Sequence, residues 1–489
     1  MPNELEFLPD CFTVRTCAVG TARVTYRAFE GIPYCTRPKS AVQVLNLFVP
    51  EEYYAGASWN GYTLHSAPIF MPNTVGGYME GPAGTPGADR SGQPNAAFRA
   101  LQHGYVVACP GIRGRTTGQS AGEPGPADGS LVGRAPALIV DMKAAIRYLR
   151  HNRARIPGST DHIITSGTSA GGALSALAGS TGNCPAYAPY LEEIGAAQER
   201  DDIFAANCYC PIHNLENADA AYEWMFHGHN EYFRMQLRMT DHGIVPELSA
   251  KEMTEKQQHL SAELKALFPP YLNSLGLRDR DGTPLTLDAD GTGRFLDAVQ
   301  AHVMRAAQAE LDTHHTAEQL AALQVPGSEI QRQEYLTIRN GKVTAIDWDG
   351  YVTKLTRMKS APAFDALDLS SPENEEFGTA SIAARHFTDF SVSRSERGGQ
   401  MAEMDVIRML NPTLFSEDRT LASHWRIRHG AFDRDTSLAI PVILATMLEN
   451  RGLDVDFALP WGLPHCGDYD LDELFAWIDA RVRASQQAG

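Results

Sequence analysis

The sequence predicts an α/β chain, a mostly parallel central sheet with helices on both faces, interrupted by a long insertion. Three observations predict it. Over residues 42–210, strand-like apolar runs alternate with segments of helical periodicity. Over residues 213–419 the alternation stops, and over 420–489 it returns. The simplest arrangement is therefore one core in two pieces, 1–212 and 420–489, around an inserted lid or substrate-binding region at 213–419. At 489 residues the chain is too long for a single small module.

Each element has its own signal. Residues 42–49 alternate like a strand, and 67–71 form a short apolar run ended by Pro72-Asn73. Residues 104–109 (GYVVAC) read as a buried strand stopped by Pro110-Gly111, and 137–152 carry apolar positions at helical spacing. Residues 162–166 (HIITS) are again strand-like, 170–177 helical, and 203–210 another strand. Inside the insertion, 248–268 and 294–311 are amphipathic and read as helices, while 335–348 form a hairpin around Asn340-Gly341. After it come a strand at 425–428, a helix at 437–450, a strand at 455–459 and a closing amphipathic helix at 470–484.

Composition excludes several classes. The chain is 43% hydrophobic and carries 42 basic against 59 acidic residues, a net of −17, which counts against nucleic acid or anionic lipid as partner. The most apolar run, 438–448, holds Pro441 and is far short of the roughly 20 residues of a membrane span. Residues 1–15 lack the pattern of a signal peptide, so a soluble, cytoplasmic protein is expected. The 8 cysteines are scattered, with no CxxC pair and no zinc-like Cys/His spacing, and Cys208 and Cys210 alternate along one strand as packing residues. Asp279, Asp281, Asp288 and Asp290 lie in turns that lack the further ligands of a calcium loop. No metal or organic cofactor is expected.

The chemistry centres on Gly167-Thr168-Ser169-Ala170-Gly171, which fits G-x-S-x-G. A strand runs into it and a helix runs out, the setting of a nucleophile elbow in the α/β-hydrolase fold. The Ala170 amide starts that helix and can face a developing oxyanion. Such a serine needs a histidine base held by an acid, both later in the chain and each after a late strand. His465 in PWGLPHCGDYD follows the last strand, and Asp433 and Asp435 in HGAFDRDTS follow the one before. Chain order does not choose between the two aspartates. A second oxyanion donor should come from the loop after an early strand, where Gly76 and Gly77 lie, with Gly77 the candidate.

Five stretches together resemble the bacterial tannases: PIFMPNTVGGYM, GTSAGGALSALAGSTGN, YCPIHNLENADAAYEW, WRIRHGAFDRDTS and LPHCGDYDL. The resemblance covers roughly residues 40–225 and 335–480 and is poor over 240–330. It implies an α/β-hydrolase core with a large lid, and hydrolysis of galloyl esters to release gallic acid. It implies Ser169 as nucleophile, Asp433 as acid and His465 as base. Asp435, Lys359 and Glu373 then hold the three galloyl hydroxyls. Fungal relatives link a cysteine before the serine to one after the histidine. Here Thr168 precedes Ser169, so Cys466 is expected as a free thiol. The partner implied is a small phenolic ester. A feruloyl or chlorogenate esterase of the same fold is the nearest alternative, and a peptidase or a catalytically silent hydrolase-fold binding protein is more remote.

Overall fold

The computed structural model describes residues 5–89, 91–119, 130–240, 243–314, 334–415 and 418–488. Its strands, in chain order, begin with β1 (Thr13–Val19), β2 (Ala22–Pro33), β3 (Val44–Pro50), β4 (Pro68–Pro72), β5 (Val106–Pro110), β6 (Ser159–Thr168) and β7 (Ala205–Tyr209). Four follow in the interrupting region, β8 (Glu231–Thr240), β9 (Gly243–Glu252), β10 (Leu336–Arg339) and β11 (Lys342–Ile346). The last two are β12 (His424–Arg428) and β13 (Asp454–Ala458).

Among the described residues one 9-stranded sheet runs β1-β2-β3-β5-β4-β6-β7-β12-β13, and β8-β9 and β10-β11 form two separate two-stranded sheets. From β5 onward the sheet is parallel, and β12 docks directly on β7 across the sequence gap, Trp425 opposite Ala206 and Arg428 opposite Tyr209. The strands β5 (VVACP) and β7 (AANCY) are buried along their whole length, as expected of parallel strands covered on both faces. Their helices follow the same logic. Ala137–His151 buries most of its length, and Ala439–Glu449 is buried nearly all round because it crosses between the last two strands.

The interrupting region shares this apolar core. Trp224 on the helix Leu215–Phe226 packs its ring 5.1 Å from Phe268 and 5.8 Å from Phe295, on the helices Glu255–Ser274 and Arg294–His314. A fully buried ion pair, Arg357 with Glu223, ties the stretch before Lys359 to the same helix. Removing one partner of such a pair costs about 3–5 kcal/mol, because the other charge is left alone in the interior.

Element by element the sequence expectations hold to within a few residues, with one correction. Residues 248–268 do not form one helix. Their first part belongs to β9, and the helix Glu255–Ser274 starts at Thr254, whose hydroxyl accepts from the Gln257 amide while the Gln257 side chain accepts from the Thr254 amide. That capping box stops the strand and starts the helix within two residues. The antiparallel edge pair β1–β2 was not foreseen either, although it alternates around Gly20-Thr21. The hairpin at 335–348 is present, with Asn340 at φ 51° and Gly341 at φ 72° forming the expected turn.

Candidate functional site

The site lies where the loops after β4, β6, β12 and β13 meet, at the carboxyl ends of parallel strands. Ser169 stands between β6 and the helix Ala170–Ser180 with φ 62° and ψ −125°, a backbone conformation that costs a non-glycine residue about 1–3 kcal/mol. Three bonds hold it there. Its amide donates to Tyr209 O at 3.0 Å, and its carbonyl accepts from Ala173 N at 2.9 Å and Ile212 N at 3.3 Å. The small neighbours are required by close approach. A Cβ on Gly167 would sit 2.4 Å from Gly171 O, and one on Gly171 would sit 2.5 Å from Asn73 Oδ1 and 2.6 Å from Val75 O. Ser169 remains half-buried, while Ala170 behind it is buried.

The same close approach brings the β4 loop onto the elbow. Asn73 donates through Nδ2 to Ser166 O at 2.9 Å and Gly171 O at 3.0 Å, and its Oδ1 accepts from Val75 N at 3.2 Å. Gly77 and Tyr78 follow, both with positive φ, and the buried Tyr78 hydroxyl donates to Ile212 O at 2.7 Å.

The loops after β12 and β13 are laced together by their backbones. Ala431 N donates to Pro460 O at 3.0 Å and Phe432 N to Leu463 O at 3.0 Å. Between them His465 Nδ1 meets Asp433 Oδ2 at 2.7 Å, with Asp433 fully buried and His465 20% exposed. Asp435 Oδ2 is farther from that nitrogen, at 3.9 Å. Of the two aspartates that chain order left open, Asp433 is therefore the one in hydrogen-bond contact. Its other oxygen accepts the Asp435 amide at 2.8 Å, and His429 Nε2 lies 3.3 Å from Oδ2. Burial works against a charge on His465, but the Asp433 carboxylate, by charge and hydrogen bond, outweighs it and raises the imidazole well above its usual value, with Cys210 and Asp435 adding to the effect. Burial likewise opposes ionisation of Asp433, yet the two histidines hold it ionised, well below the usual carboxylate range.

Cys210, expected to pack within a strand, sits just past β7 at φ 42° and is wedged against this pair. Its thiol donates to Cys466 O at 3.3 Å, and burial, then the charge of Asp433, raises it, so it stays protonated. All 8 cysteines, Cys466 included, are free. Among the described residues Cys210, Asp433 and His465 are the one group that could hold a metal ion, their ligating atoms within 4.8 Å of one another. A cation there would displace the hydrogen bond that orients the imidazole. The arrangement is that of an acid–base pair with a neutral thiol beside it.

The remaining candidates gather next to this pair. Lys359 Nζ donates to Asp435 O at 2.8 Å, lies 3.5 Å from its carboxylate, and rests 4.0 Å from the centroid of the Phe364 ring. The stretch is fixed because the Met358 and Lys359 amides both donate to Tyr222 Oη, at 3.0 and 3.2 Å, while Tyr222 Oη donates to Arg434 O at 2.9 Å. Glu373 is buried on the short helix Pro372–Glu376, whose capping residues Ser371 and Asn374 lock it, and Asn374 reaches Asp365 Oδ1 at 2.7 Å. Burial raises the Glu373 carboxyl, Lys359 and Arg115 draw it down, and Asp435 pushes it up, so these charges share one neighbourhood. Sequence reasoning did not find Asn73, Tyr78, Arg115 or Tyr222. Each acts through contacts with residues distant in the sequence, which leave no periodic signal.

Among the described residues no helix is long and apolar enough to cross a membrane. The family model BD-FAE matches residues 129–208, the stretch that carries the elbow. Esterase LipQ of Mycobacterium tuberculosis is 32% identical over 187 residues, 38% of this chain and 40% of LipQ. With the parallel sheet and the elbow, these matches define the chain as a carboxylic ester hydrolase of α/β-hydrolase fold. The solved tannase of Lactobacillus plantarum superposes with a TM-score of 0.89 at 47% identity, covering 98% of this chain and 100% of that one. The tannase of Fusobacterium nucleatum does so at 0.89 and 45%, covering 98% and 99%. A tannin acyl hydrolase in complex with ethyl gallate gives 0.87 at 46%, covering 98% and 99%. The chain belongs to the bacterial tannases.

Proposed function

We propose that this protein hydrolyses galloyl esters, of hydrolysable tannins and of simple alkyl gallates, through an acyl-enzyme on Ser169. The observation that carries the reading is the group Lys359, Asp435 and Glu373 set beside the His465–Asp433 pair. A trihydroxyphenyl ring offers three hydroxyls that each donate and accept, and two carboxyls with one ammonium complement them. A ring lacking those hydroxyls forgoes these hydrogen bonds and leaves the buried Glu373 carboxyl unmatched, at about 1–3 kcal/mol. That a related tannin acyl hydrolase is solved in complex with ethyl gallate supports a gallate ester as the ligand.

In this reading Ser169 attacks the ester carbonyl while His465 Nε2 takes its proton and Asp433 stabilises the imidazolium. The amides of Ala170 and Gly77 hold the oxyanion, one at a helix start and one in the β4 loop. His465 returns the proton to the leaving alcohol. Water then attacks the acyl-enzyme by the same proton path, and gallic acid is released. Residues 213–419 serve as the lid that supplies Lys359 and Glu373. Steady-state hydrolysis of methyl gallate against methyl ferulate by the purified protein tests the reading: methyl gallate is the better substrate, and a preference for ferulate overturns it.

A further inference from the structure

Three successive peptides of the β4 loop have their carbonyls fixed, the first within the loop and the next two by Arg115. Gly76 O accepts from Met79 N at 3.0 Å, Gly77 O accepts from Arg115 Nε at 2.8 Å, and Tyr78 O accepts from the Arg115 amide at 2.7 Å. In a trans peptide the carbonyl and the following N–H point opposite ways. Fixing those carbonyls therefore aims the N–H groups of Gly77, Tyr78 and Met79. Arg115 sets the last two planes, by its side chain at Gly77 O and its amide at Tyr78 O, and the Met79 N–H so aimed holds Gly76 O and with it the Gly77 N–H.

The same guanidinium reaches the lid. Arg115 Nη1 pairs with Glu375 Oε2 at 2.5 Å, its side chain only 16% exposed, and Arg134 Nη1 steadies the Arg115 carbonyl at 2.7 Å. Glu375 belongs to the helix Pro372–Glu376, two residues from Glu373. Tyr78, in the loop, is itself within the field of Glu373 and Glu376. A continuous chain of contacts thus runs from the ring-binding helix through Glu375 and Arg115 to the Gly77 carbonyl.

We propose that Arg115 is a positioning residue for the loop that binds the oxyanion, and that its pairing with Glu375 makes ring recognition raise turnover rather than affinity alone. The second half rests on the galloyl reading above; the first does not. A ring held on Glu373 fixes the short helix, Glu375 with it, and through Arg115 the Gly77–Tyr78 peptide that directly follows the Gly77 donor. An ester without the ring leaves the helix unliganded, and only Arg115's own bonds then align the loop. Lysine does not replace this function, because one ammonium does not span the carbonyl and the carboxylate as the planar fork does.

The test is steady-state kinetics of Arg115→Gln, Arg115→Lys and Glu375→Gln on methyl gallate and on p-nitrophenyl acetate. Turnover is normalised to sites titrated by a fluorophosphonate, so that misfolded protein is not counted. Both Arg115 variants lower kcat on both esters by about 10- to 100-fold, the scale for a misaligned oxyanion donor. Glu375→Gln lowers kcat on methyl gallate by about tenfold with KM nearly unchanged, and leaves p-nitrophenyl acetate within about twofold. Unchanged kcat in Arg115→Gln overturns the positioning role. A Glu375→Gln variant that raises KM alone, or that harms both esters alike, overturns the coupling. If the wild-type protein turns over the acetate ester but not methyl gallate, the galloyl reading and the coupling fall together, and the acetate data still decide the role of Arg115.

Discussion

Asp433→Asn changes one oxygen to an amide in a place where its two faces have different tasks. One Asp433 oxygen accepts the Asp435 amide at 2.8 Å, and the other accepts from His465 Nδ1 at 2.7 Å. If the asparagine oxygen keeps the backbone amide, its NH2 group faces Nδ1. The imidazole must then accept there and carry its proton on Nε2, the nitrogen that has to be free to take the proton of Ser169. The alternative flip opposes two donors at the Asp435 amide in a fully buried position. Triads that lose the acid in this way fall about 10⁴-fold in kcat, equivalent to about 5.5 kcal/mol at about 1.4 kcal/mol per decade. The fall appears equally on methyl gallate and p-nitrophenyl acetate, because the acid never touches the ring. The assay is kcat from initial rates on both esters, with melting temperature as a check on folding. A loss below about tenfold would refute the assignment of Asp433, given the magnitude expected of a lost acid.

Asp435→Asn reduces activity on methyl gallate more than on p-nitrophenyl acetate. Asp435 also helps to raise His465, and the enzyme needs that imidazole neutral, so activity is lost as pH falls through its value. The acid limb of kcat/KM therefore lies above that of an ordinary histidine in the wild type and moves to lower pH in Asp435→Asn; an unmoved limb counts against the contact. Lys359→Met lowers kcat/KM on methyl gallate by roughly 5- to 150-fold while sparing the acetate ester, the cost of about 1–3 kcal/mol for lost polar partners. Gly171→Ala places a methyl 2.5 Å from Asn73 Oδ1 and 2.6 Å from Val75 O, so it destabilises by about 1–3 kcal/mol and lowers kcat on every ester, read by thermal melting and initial rates; a neutral variant would mean the loop can move away.

What could be read from the sequence is what is decided locally. The elbow was legible because the sharp turn itself demands small residues, and Gly167 and Gly171 announce that within five positions. His465 was legible because its place follows from strand order. Asp433 and Asp435 were not separable, since two residues apart in one loop both satisfy that order, and only the 2.7 and 3.9 Å separations from His465 Nδ1 distinguish them. Lys359 and Glu373 lie outside any periodic element that would single them out. Without the resemblance to a family, a lysine and a glutamate in a polar stretch read as solvated charges. Arg115 was missed for the same reason, its partners at Gly77 and Glu375 lying 38 and 260 residues away. The misread 248–268 is different. Thr254-Glu255-Lys256-Gln257 carried the capping-box signature, and the helical composition on its far side masked the strand before it.

The pairing of β12 with β7 also sets an order of events during synthesis. Until β12 leaves the ribosome, β7 is the last strand of the sheet and presents an unpaired parallel edge. Residues 210–423 separate the two, on the order of 10–40 s of elongation at about 5–20 residues per second. Throughout that interval the nascent chain carries Ser169, at the end of β6, but neither Asp433 nor His465. The sheet, and with it the meeting of the Ser169 loop with Asp433 and His465, is completed only after the whole interrupting region has been made.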